Sequence, residues 1–205
     1  MAVSMKKVYS LSFIAGILLL FVSSCAPSID AKLDINGYSY YHHSVQLGRE
    51  VNNNQTIQEK DNIRYLSISA DEMFNTATSD LYAYNLSIDI FLPDTALFEG
   101  KRFSLSDPLE KDLVLESWNN LSTDAMSKIM FEIPIVFITI YRWWYMQVGG
   151  FSKGLTVRNV KEFSGLDGWV TINKNGNNKY ETQFECIVVS EEDGETFKIS
   201  GYCGK

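Results

Sequence analysis

The chain has 205 residues, of which 45% are hydrophobic and 13% aromatic, and its 25 acidic residues outnumber its 18 basic ones to give a formal net charge of −7. The length suits a single domain, and the apolar and aromatic content is too high for a disordered chain. The excess of acidic residues argues against a nucleic-acid-binding protein, because such proteins present a basic face to the phosphates.

The first 25 residues are typical of a bacterial lipoprotein signal. Lys6 and Lys7 form a positive segment, and residues 8–22 are predominantly apolar. This apolar segment is shorter than the roughly 20 residues that a membrane-spanning helix needs. It ends in Val22-Ser23-Ser24-Cys25, which resembles the lipobox, the motif whose cysteine is acylated and becomes the mature N-terminus. We therefore expect Cys25 to be lipidated.

This interpretation divides the chain into a signal peptide (1–24), a lipid-anchored tether (25–30) and a single β domain (31–205). Two or three acyl chains suffice to hold a protein stably on a membrane. Ala26 after the cysteine is typical of lipoproteins sorted to the outer membrane, while the periplasmic or surface orientation stays open. The alternative is an uncleaved N-terminal anchor in which the cysteine is incidental.

An alternation of apolar and polar residues predicts strands from residue 31 onward. Residues 31–35 and 38–42 are predicted to form a hairpin, because Asn36-Gly37 between them suits a type I′ turn. Residues 52–61 are polar and are predicted as a loop. The next predicted strands are 63–69, 82–91 and a short one within 98–105.

Residues 106–134 give the weakest pattern. Asp107-Pro108 is a typical helix start, since proline is favoured in the first helical turn. Leu109, Leu113 and Trp118 would then lie on one face of the helix, although residues 113–115 would also suit a strand. We favour a short helical insertion within 107–130.

Residues 135–148 form the most apolar segment. A membrane-spanning helix is one interpretation, but Arg142 interrupts the segment, and its β-branched and aromatic residues favour a strand. Both alternating faces are apolar, which predicts a central strand covered on both sides. Further strands are predicted at 155–157, 169–172, 180–189 and 196–202. The predicted fold is therefore all-β, either an antiparallel β-sandwich or a lipocalin-like barrel.

Cys186 and Cys203 both fall in the last predicted hairpin. With Asp193-Gly194 as a two-residue turn, the two cysteines share a face of the sheet but lie diagonally, which is too far apart for a relaxed disulfide. One extra residue in the turn would place them opposite each other. A Cys186–Cys203 disulfide and two buried thiols both stay open.

Several turn glycines and short strands carry a family resemblance. They are the hairpin around Ile35-Asn36-Gly37, the segment 100–105, and the ending formed by 168–172, 184–188 and 194–201. Together they resemble small lipoproteins of Bacteroidetes that carry a domain of unknown function. The resemblance covers mainly the two ends of the mature chain. It implies a lipid-anchored β-sandwich or lipocalin-like body and assigns no catalytic or binding residues.

The motifs that could carry catalysis are incomplete. Residues 150–154 fit G-x-S-x-G, but a nucleophile elbow needs a following helix and a later histidine, and both histidines, His42 and His43, come earlier. Adjacent strand residues point to opposite faces, so this pair is a poor metal site. Glu191-Glu192-Asp193 could suggest calcium or paired catalytic acids, but it is more typical of a solvated turn. We predict neither a metal nor a cofactor.

The aromatic residues Tyr40, Trp143, Trp144 and Tyr145 are the best candidates for a binding surface, because flat rings stack on sugars or apolar ligands. The alternative is that they belong to the core. Asp94-Thr95-Ala96 resembles the O-glycosylation pattern of secreted Bacteroidetes proteins and makes Thr95 a candidate for modification.

These observations favour a non-enzymatic, lipid-anchored envelope domain that binds a glycan, a small apolar ligand or a protein partner. A second hypothesis is a structural or surface-assembly subunit whose hairpin edges accept an added strand. A third is a hydrolase that uses acids such as Asp89 or Glu185.

Overall fold

The structure, a computed structural model, describes residues 29–43, 45–46, 49–50, 53–60, 63–75, 82–93, 98–120, 134–148, 154–174 and 179–204. Cys25, Thr95 and residues 150–153 of the G-x-S-x-G segment lie outside the described residues. The strands are β1 (Ile29–Ile35), β2 (Tyr38–His43), β3 (Val45–Gln46), β4 (Arg49–Glu50), β5 (Asn53–Lys60), β6 (Ile63–Phe74), β7 (Tyr82–Pro93), β8 (Arg102–Ser104), β9 (Ile135–Val148), β10 (Gly154–Lys174), β11 (Tyr180–Val189) and β12 (Thr196–Cys203). One α-helix, α1 (Lys111–Asn119), lies in the described part of the chain.

Eight of these strands close into an antiparallel barrel. Their order is β11-β12-β1-β2-β6-β7-β9-β10, and β10 pairs back to β11. The prediction of an all-β fold is confirmed, and of the two architectures considered the lipocalin-like barrel is the one formed. A barrel of eight strands has an interior just wide enough to be filled by side chains or to hold one small ligand.

The two ends of the barrel differ. We call the upper end the one that carries the β1–β2 turn and the β11–β12 turn, and the lower end the one where β1 begins and β10 ends. Aliphatic side chains fill the middle of the barrel: Leu33, Leu66, Ile68, Leu86, Ile88, Ile90, Val136, Ile138 and Ile140. Aromatic rings pack above them, with Phe163 and Phe197 at 4.7 Å between ring centroids.

The β1–β2 hairpin forms as predicted. Asn36 and Gly37 both have positive φ angles, 49° and 86°, as a type I′ turn requires. The predicted strands at 63–69 and 82–91 are also confirmed, and each continues for a few residues beyond its predicted end.

Strand β9 is covered on both sides, as its two apolar faces predicted. Its inward residues join the barrel core, while Phe137 and Thr139 on the outer face are buried. Among the described residues, no helix is long and apolar enough to cross a membrane.

Helix α1 packs on the outer wall and confirms the helical insertion. A 3-10 turn, Pro108–Glu110, precedes it, and the Asp107 carboxylate caps this turn by accepting a hydrogen bond from the Leu109 amide. The predicted buried face is correct for Trp118 and wrong for Leu109 and Leu113. The two leucines are 73% and 65% exposed, while Val114 and Trp118 pack against Phe91 and Phe137 of the wall.

Within the segment predicted as a polar loop, 52–61, residues 53–60 form strand β5 instead, paired with β6 from Asn53–Ala70 to Lys60–Ile63. It lies at the edge of β6 with most of its side chains exposed. Since neither of its faces is fully buried, its sequence has no apolar alternation to mark a strand. The backbone pairing alone defines it.

The strands predicted at 155–157 and 169–172 are parts of one long strand, β10. Two irregularities in pairing, at Val157/Asn159 and Gly165/Asp167, shift its register. Each such bulge inserts an unpaired residue and changes which side chains face inward, so the alternation breaks where the strand continues. Gly168, with a φ of 148°, lies just after the second bulge, and a Cβ there would sit 2.3 Å from the Glu185 carbonyl oxygen.

The disulfide interpretation is wrong. The β11–β12 turn is longer than two residues, because pairing ends at Val189–Thr196 and the Ser190 amide donates to the Glu195 carbonyl. Cys186 therefore pairs with Ile199, and Cys203 pairs with Thr182. An offset of four residues corresponds to about 13 Å along a strand, so the cysteines are two separate buried thiols.

Candidate binding site at the barrel mouth

A pocket of about 330 Å³ opens at the upper end of the barrel. We call it the mouth, and its lining residues are Tyr82, Arg142, Trp144, Asn159, Lys161, Glu192, Asp193 and Glu195. They come from the upper parts of β7, β9 and β10 and from the β11–β12 turn. Arg142 and Trp144 follow the inward-facing Ile140 at intervals of two, so the strand period directs them to the mouth.

An ion-pair cluster holds the β11–β12 turn against the wall. Nη1 and Nη2 of Arg142 each donate to one carboxylate oxygen of Glu195 at 2.9 Å. Nζ of Lys161 lies 2.6 Å from Glu195 Oε2 and 2.5 Å from Asp193 Oδ2. The bidentate contact with Arg142 fixes the orientation of the two side chains as well as their distance. Because Glu195 contacts both cations, it is the centre of the cluster.

The cluster keeps its acids ionised. Hydrogen bonds from Arg142 and then Lys161 lower the pKa of Glu195, and the hydrogen bond from Lys161 lowers the pKa of Asp193. Both carboxylates in turn raise the pKa of Lys161. All four groups are therefore charged at neutral pH, and with Glu192 the mouth contains two cations and three carboxylates.

Aromatic rings line the other side of the mouth. The rings of Tyr82 and Trp144 lie 5.9 Å apart at 35°, and Trp144 is 42% exposed. The Arg142 guanidinium lies over Tyr82 at 5.8 Å and over Phe163 at 5.0 Å. Such cation–π contacts hold the guanidinium between the rings and the carboxylate, so the polar and aromatic halves of the mouth are fixed relative to each other.

The four predicted stacking aromatics have different positions. Trp144 lines the mouth, whereas Trp143, its neighbour along β9, faces the outer wall with its indole N–H buried. The prediction that Tyr40 stacks on a ligand is wrong. Tyr40 is buried below the mouth, with its ring 4.7 Å from that of Tyr84, and belongs to the core. The side chain of Tyr145 lies outside the described residues.

The sequence patterns do not predict the charged side of the mouth. They indicate Arg142 only as an interruption of an apolar segment, and for Asp193 they favour a solvated turn over a calcium or paired-acid site. The available signal was a cation at an inward position of a strand, because a buried cation needs a partner. The partner's identity depends on the register of β11 and β12, which the turn length determines.

The remaining sequence candidates lie apart from the mouth. His42 faces the barrel interior, and its Nδ1 lies 3.0 Å from the Asp71 carbonyl oxygen, while the side chain of His43 is outside the described part. Within the described ranges, no three His, Cys, Asp or Glu side chains are grouped to hold a metal ion.

The two acids proposed for a hydrolase have separate environments. Asp89 is buried beneath α1, where it accepts a hydrogen bond from Tyr65 and lies 3.6 Å from the Lys111 ammonium. Glu185 lies on β11, and its pKa is lowered by Lys198. The structure does not bring these two carboxylates to one site.

Asp193 and Glu195 are a closer carboxylate pair, since both contact the Lys161 ammonium and their oxygens therefore lie within about 5 Å of each other. Glycoside hydrolysis needs one carboxyl group whose raised pKa keeps it protonated as the acid. Both pKa values are lowered here. Neither carboxyl group of this pair therefore matches the protonated acid that this mechanism needs.

Comparison of the chain with protein-family models, with curated proteins and with solved structures gives no match.

Proposed function

We propose that this chain is a lipid-anchored, non-catalytic binding domain of a bacterial cell envelope and that the mouth is its binding site. The observation that carries the proposal is the combination in one pocket of an exposed tryptophan, Trp144, packed against the partly buried Tyr82, with a fixed set of charges. Binding pockets typically combine apolar rings with a few well-placed polar groups, and the mouths of β-barrels are a common position for them.

The anchor part of the proposal rests on the N-terminal sequence. The positive segment, the short apolar segment and the lipobox-like residues 22–25 occur in the order of a lipoprotein signal. Ala26 supports sorting to the outer membrane.

Metabolic labelling with a clickable fatty acid tests the anchor. In a bacterial expression host, the wild-type chain should incorporate the label and remain with the membranes after an alkaline wash. Cys25→Ser should lose both properties, with Cys203→Ser as the matched cysteine control. Equal labelling of Cys25→Ser and the wild type would contradict lipidation at this cysteine.

Affinity electrophoresis of residues 26–205 tests the binding function. The probes are gels containing starch, β-glucan, mannan or pectin, with oleate tested separately by fluorescence displacement. We expect retention or displacement with at least one probe and its loss in Trp144→Ala. Absence of any Trp144-dependent binding would contradict the mouth as a binding site.

Strand β5 favours a second candidate function, a surface-assembly subunit. Its backbone pairs with β6 alone among the strands that the structure describes, and an edge strand can accept a strand from a partner. Crosslinking in intact cells separates this candidate from ligand binding, since a stable protein partner should then appear without any added ligand.

A further inference from the structure

We infer that the ligand of the mouth is a neutral saccharide, bound with one sugar ring stacked on Trp144. This inference rests on the proposed binding function and names the chemical class of the ligand.

The charges of the mouth disfavour an anionic ligand. Arg142 and Lys161 already donate to Glu195 and Asp193 at 2.5–2.9 Å. An incoming carboxylate would have to compete with these partners for the same donors. It would also approach three carboxylates with only two cations present, and like charges at short range repel each other.

A cationic ligand meets the opposite difficulty. The carboxylates of Asp193 and Glu195 are held by Arg142 and Lys161, so a new ammonium group would have to displace a cation that is tied to the wall of the barrel. Glu192 is left to attract it, but this side chain is exposed on the turn. An exposed ion pair contributes little affinity.

An apolar ligand is disfavoured by desolvation. Filling the mouth with hydrocarbon would remove water from Lys161, Asp193 and Glu195 without supplying new hydrogen bonds. Burial of charged groups without new partners is costly. The exposed ring of Trp144 alone does not offset this cost, because it is one side of a pocket whose other side is charged.

A neutral sugar satisfies both sides of the mouth. A carboxylate has about four lone-pair sites and an ammonium three protons, so Asp193, Glu195 and Lys161 can each bond to a hydroxyl group without losing an ion pair. Because a hydroxyl is neutral, it meets no repulsion from the charge already paired there, and Asn159 offers an amide N–H₂ beside them. The C–H face of the ring can stack on Trp144 on the other side. The ion-pair cluster fixes these groups before binding, which lowers the entropic cost of ordering them.

Isothermal titration calorimetry of residues 26–205 tests this inference. The neutral probes are maltohexaose, cellohexaose, laminarihexaose and mannohexaose. Hexagalacturonate, chitosan hexamer and oleate represent anionic, cationic and apolar ligands. We expect at least one neutral hexasaccharide to bind and Trp144→Ala to weaken its binding about tenfold, as expected for loss of one stacked ring.

Trp169→Ala is the matched control, because Trp169 lies on β10 away from the mouth with its ring against Arg102. It should change affinity less than twofold. Circular dichroism verifies the folding of each variant. Should Trp144→Ala fail to fold, Asn159→Ala at the exposed rim replaces it and should weaken binding at least threefold.

The outcomes test the class of the ligand separately from the binding function of the mouth. Trp144-dependent binding of hexagalacturonate, chitosan hexamer or oleate, with no neutral probe bound, would overturn the neutral-saccharide assignment and leave the binding function in place. Absence of Trp144-dependent binding with all seven probes would overturn both.

Discussion

At the scale of single residues, Glu195 determines the shape of the mouth. It accepts two hydrogen bonds from Arg142 and a third from Lys161, and it lies on the turn that both cations tie to the wall. Its side chain is 38% exposed, so solvent screens part of these interactions. Removing its charge should nevertheless leave two partly buried cations with fewer partners.

We predict that Glu195→Gln lowers the free energy of unfolding by about 1 kcal/mol, a value reduced for the partial exposure of the pair. Urea denaturation measures the change. Glu185→Gln is the control, since it removes the exposed ion pair with Lys198 on the same hairpin, and it should change stability less than Glu195→Gln does. Equal effects of the two variants would show that the cluster is only a surface feature.

The same cluster predicts a dependence on pH. The pKa values of Glu195 and Asp193 are lowered in the folded chain, and their unfolded values are about 4. Their contribution to the free energy of unfolding is therefore complete above about pH 4, and it is lost as the pH falls through the pKa values of the folded chain. The stability difference between wild type and Glu195→Gln should shrink from pH 7 to pH 3. A difference that is constant over this range would contradict the charge-based explanation.

The two buried cysteines give a prediction about thiol chemistry. Burial, with the nearby carboxylates of Asp167 and Glu185, raises the pKa of Cys186 to about 12, and the reactive species is the thiolate. Without reductant, residues 26–205 should show two thiols that react with Ellman's reagent in urea and hardly at all when folded. A disulfide-linked peptide joining Cys186 and Cys203 after proteolysis would contradict the observed register.

At the scale of elements, helix α1 is attached to the barrel by a tryptophan. The ring of Trp118 lies 5.6 Å from Tyr65 and 5.8 Å from Phe91, and its indole N–H donates to Gln58 of β5. Nζ of Lys60 donates a hydrogen bond to the backbone carbonyl oxygen of Trp118. This single residue therefore links α1 to β5, β6 and β7.

Trp118→Ala should destabilise the protein by about 3–5 kcal/mol, because it leaves a cavity beneath the helix. Leu113→Ala on the exposed face of the same helix should change stability by less than about 0.5 kcal/mol. Thermal or urea unfolding of both variants measures the difference. A larger effect of Leu113→Ala would mean that the side of the helix that carries Leu113 and Leu109 is buried instead.

Sequence patterns located the elements that bury one face and missed those determined by pairing alone. The alternation of apolar and polar residues located β7, and the two apolar faces of β9 indicated that other parts of the chain cover it on both sides. Strand β5 carries no such pattern, because its position depends on backbone hydrogen bonds to β6. The bulges in β10 and the length of the β11–β12 turn each shift the register, and a shift of register decides which residues meet. Hence Trp144 was found as a candidate, whereas its charged neighbours in the mouth were not.

At the scale of the whole molecule, the direction of β1 relates the proposed anchor to the mouth. Strand β1 begins at the lower end with Ile29 and runs upward to the β1–β2 turn. Cys25 comes four residues earlier, so chain length keeps it within about 14 Å of Ile29. A lipid on Cys25 would therefore hold the lower end near the bilayer, and the mouth would face away from it.

Quenching by nitroxide-labelled lipid headgroups tests this orientation. In vesicles carrying the acylated chain, a fluorophore on Lys179→Cys at the lower end should be quenched strongly. A fluorophore on Glu191→Cys at the upper turn should be quenched weakly. The reverse order would contradict the proposed arrangement.

The most direct test of the mouth as a saccharide site is fluorine NMR of the chain with its four tryptophans replaced by 5-fluorotryptophan. Single Trp→Phe variants assign the resonances. Titration with the four neutral hexasaccharides should move the Trp144 resonance with at least one of them and leave that of Trp118, buried beneath α1, unchanged. A ligand that moves Trp118 or Trp169 without Trp144, or a Trp144 resonance unmoved by all four sugars, would contradict the account.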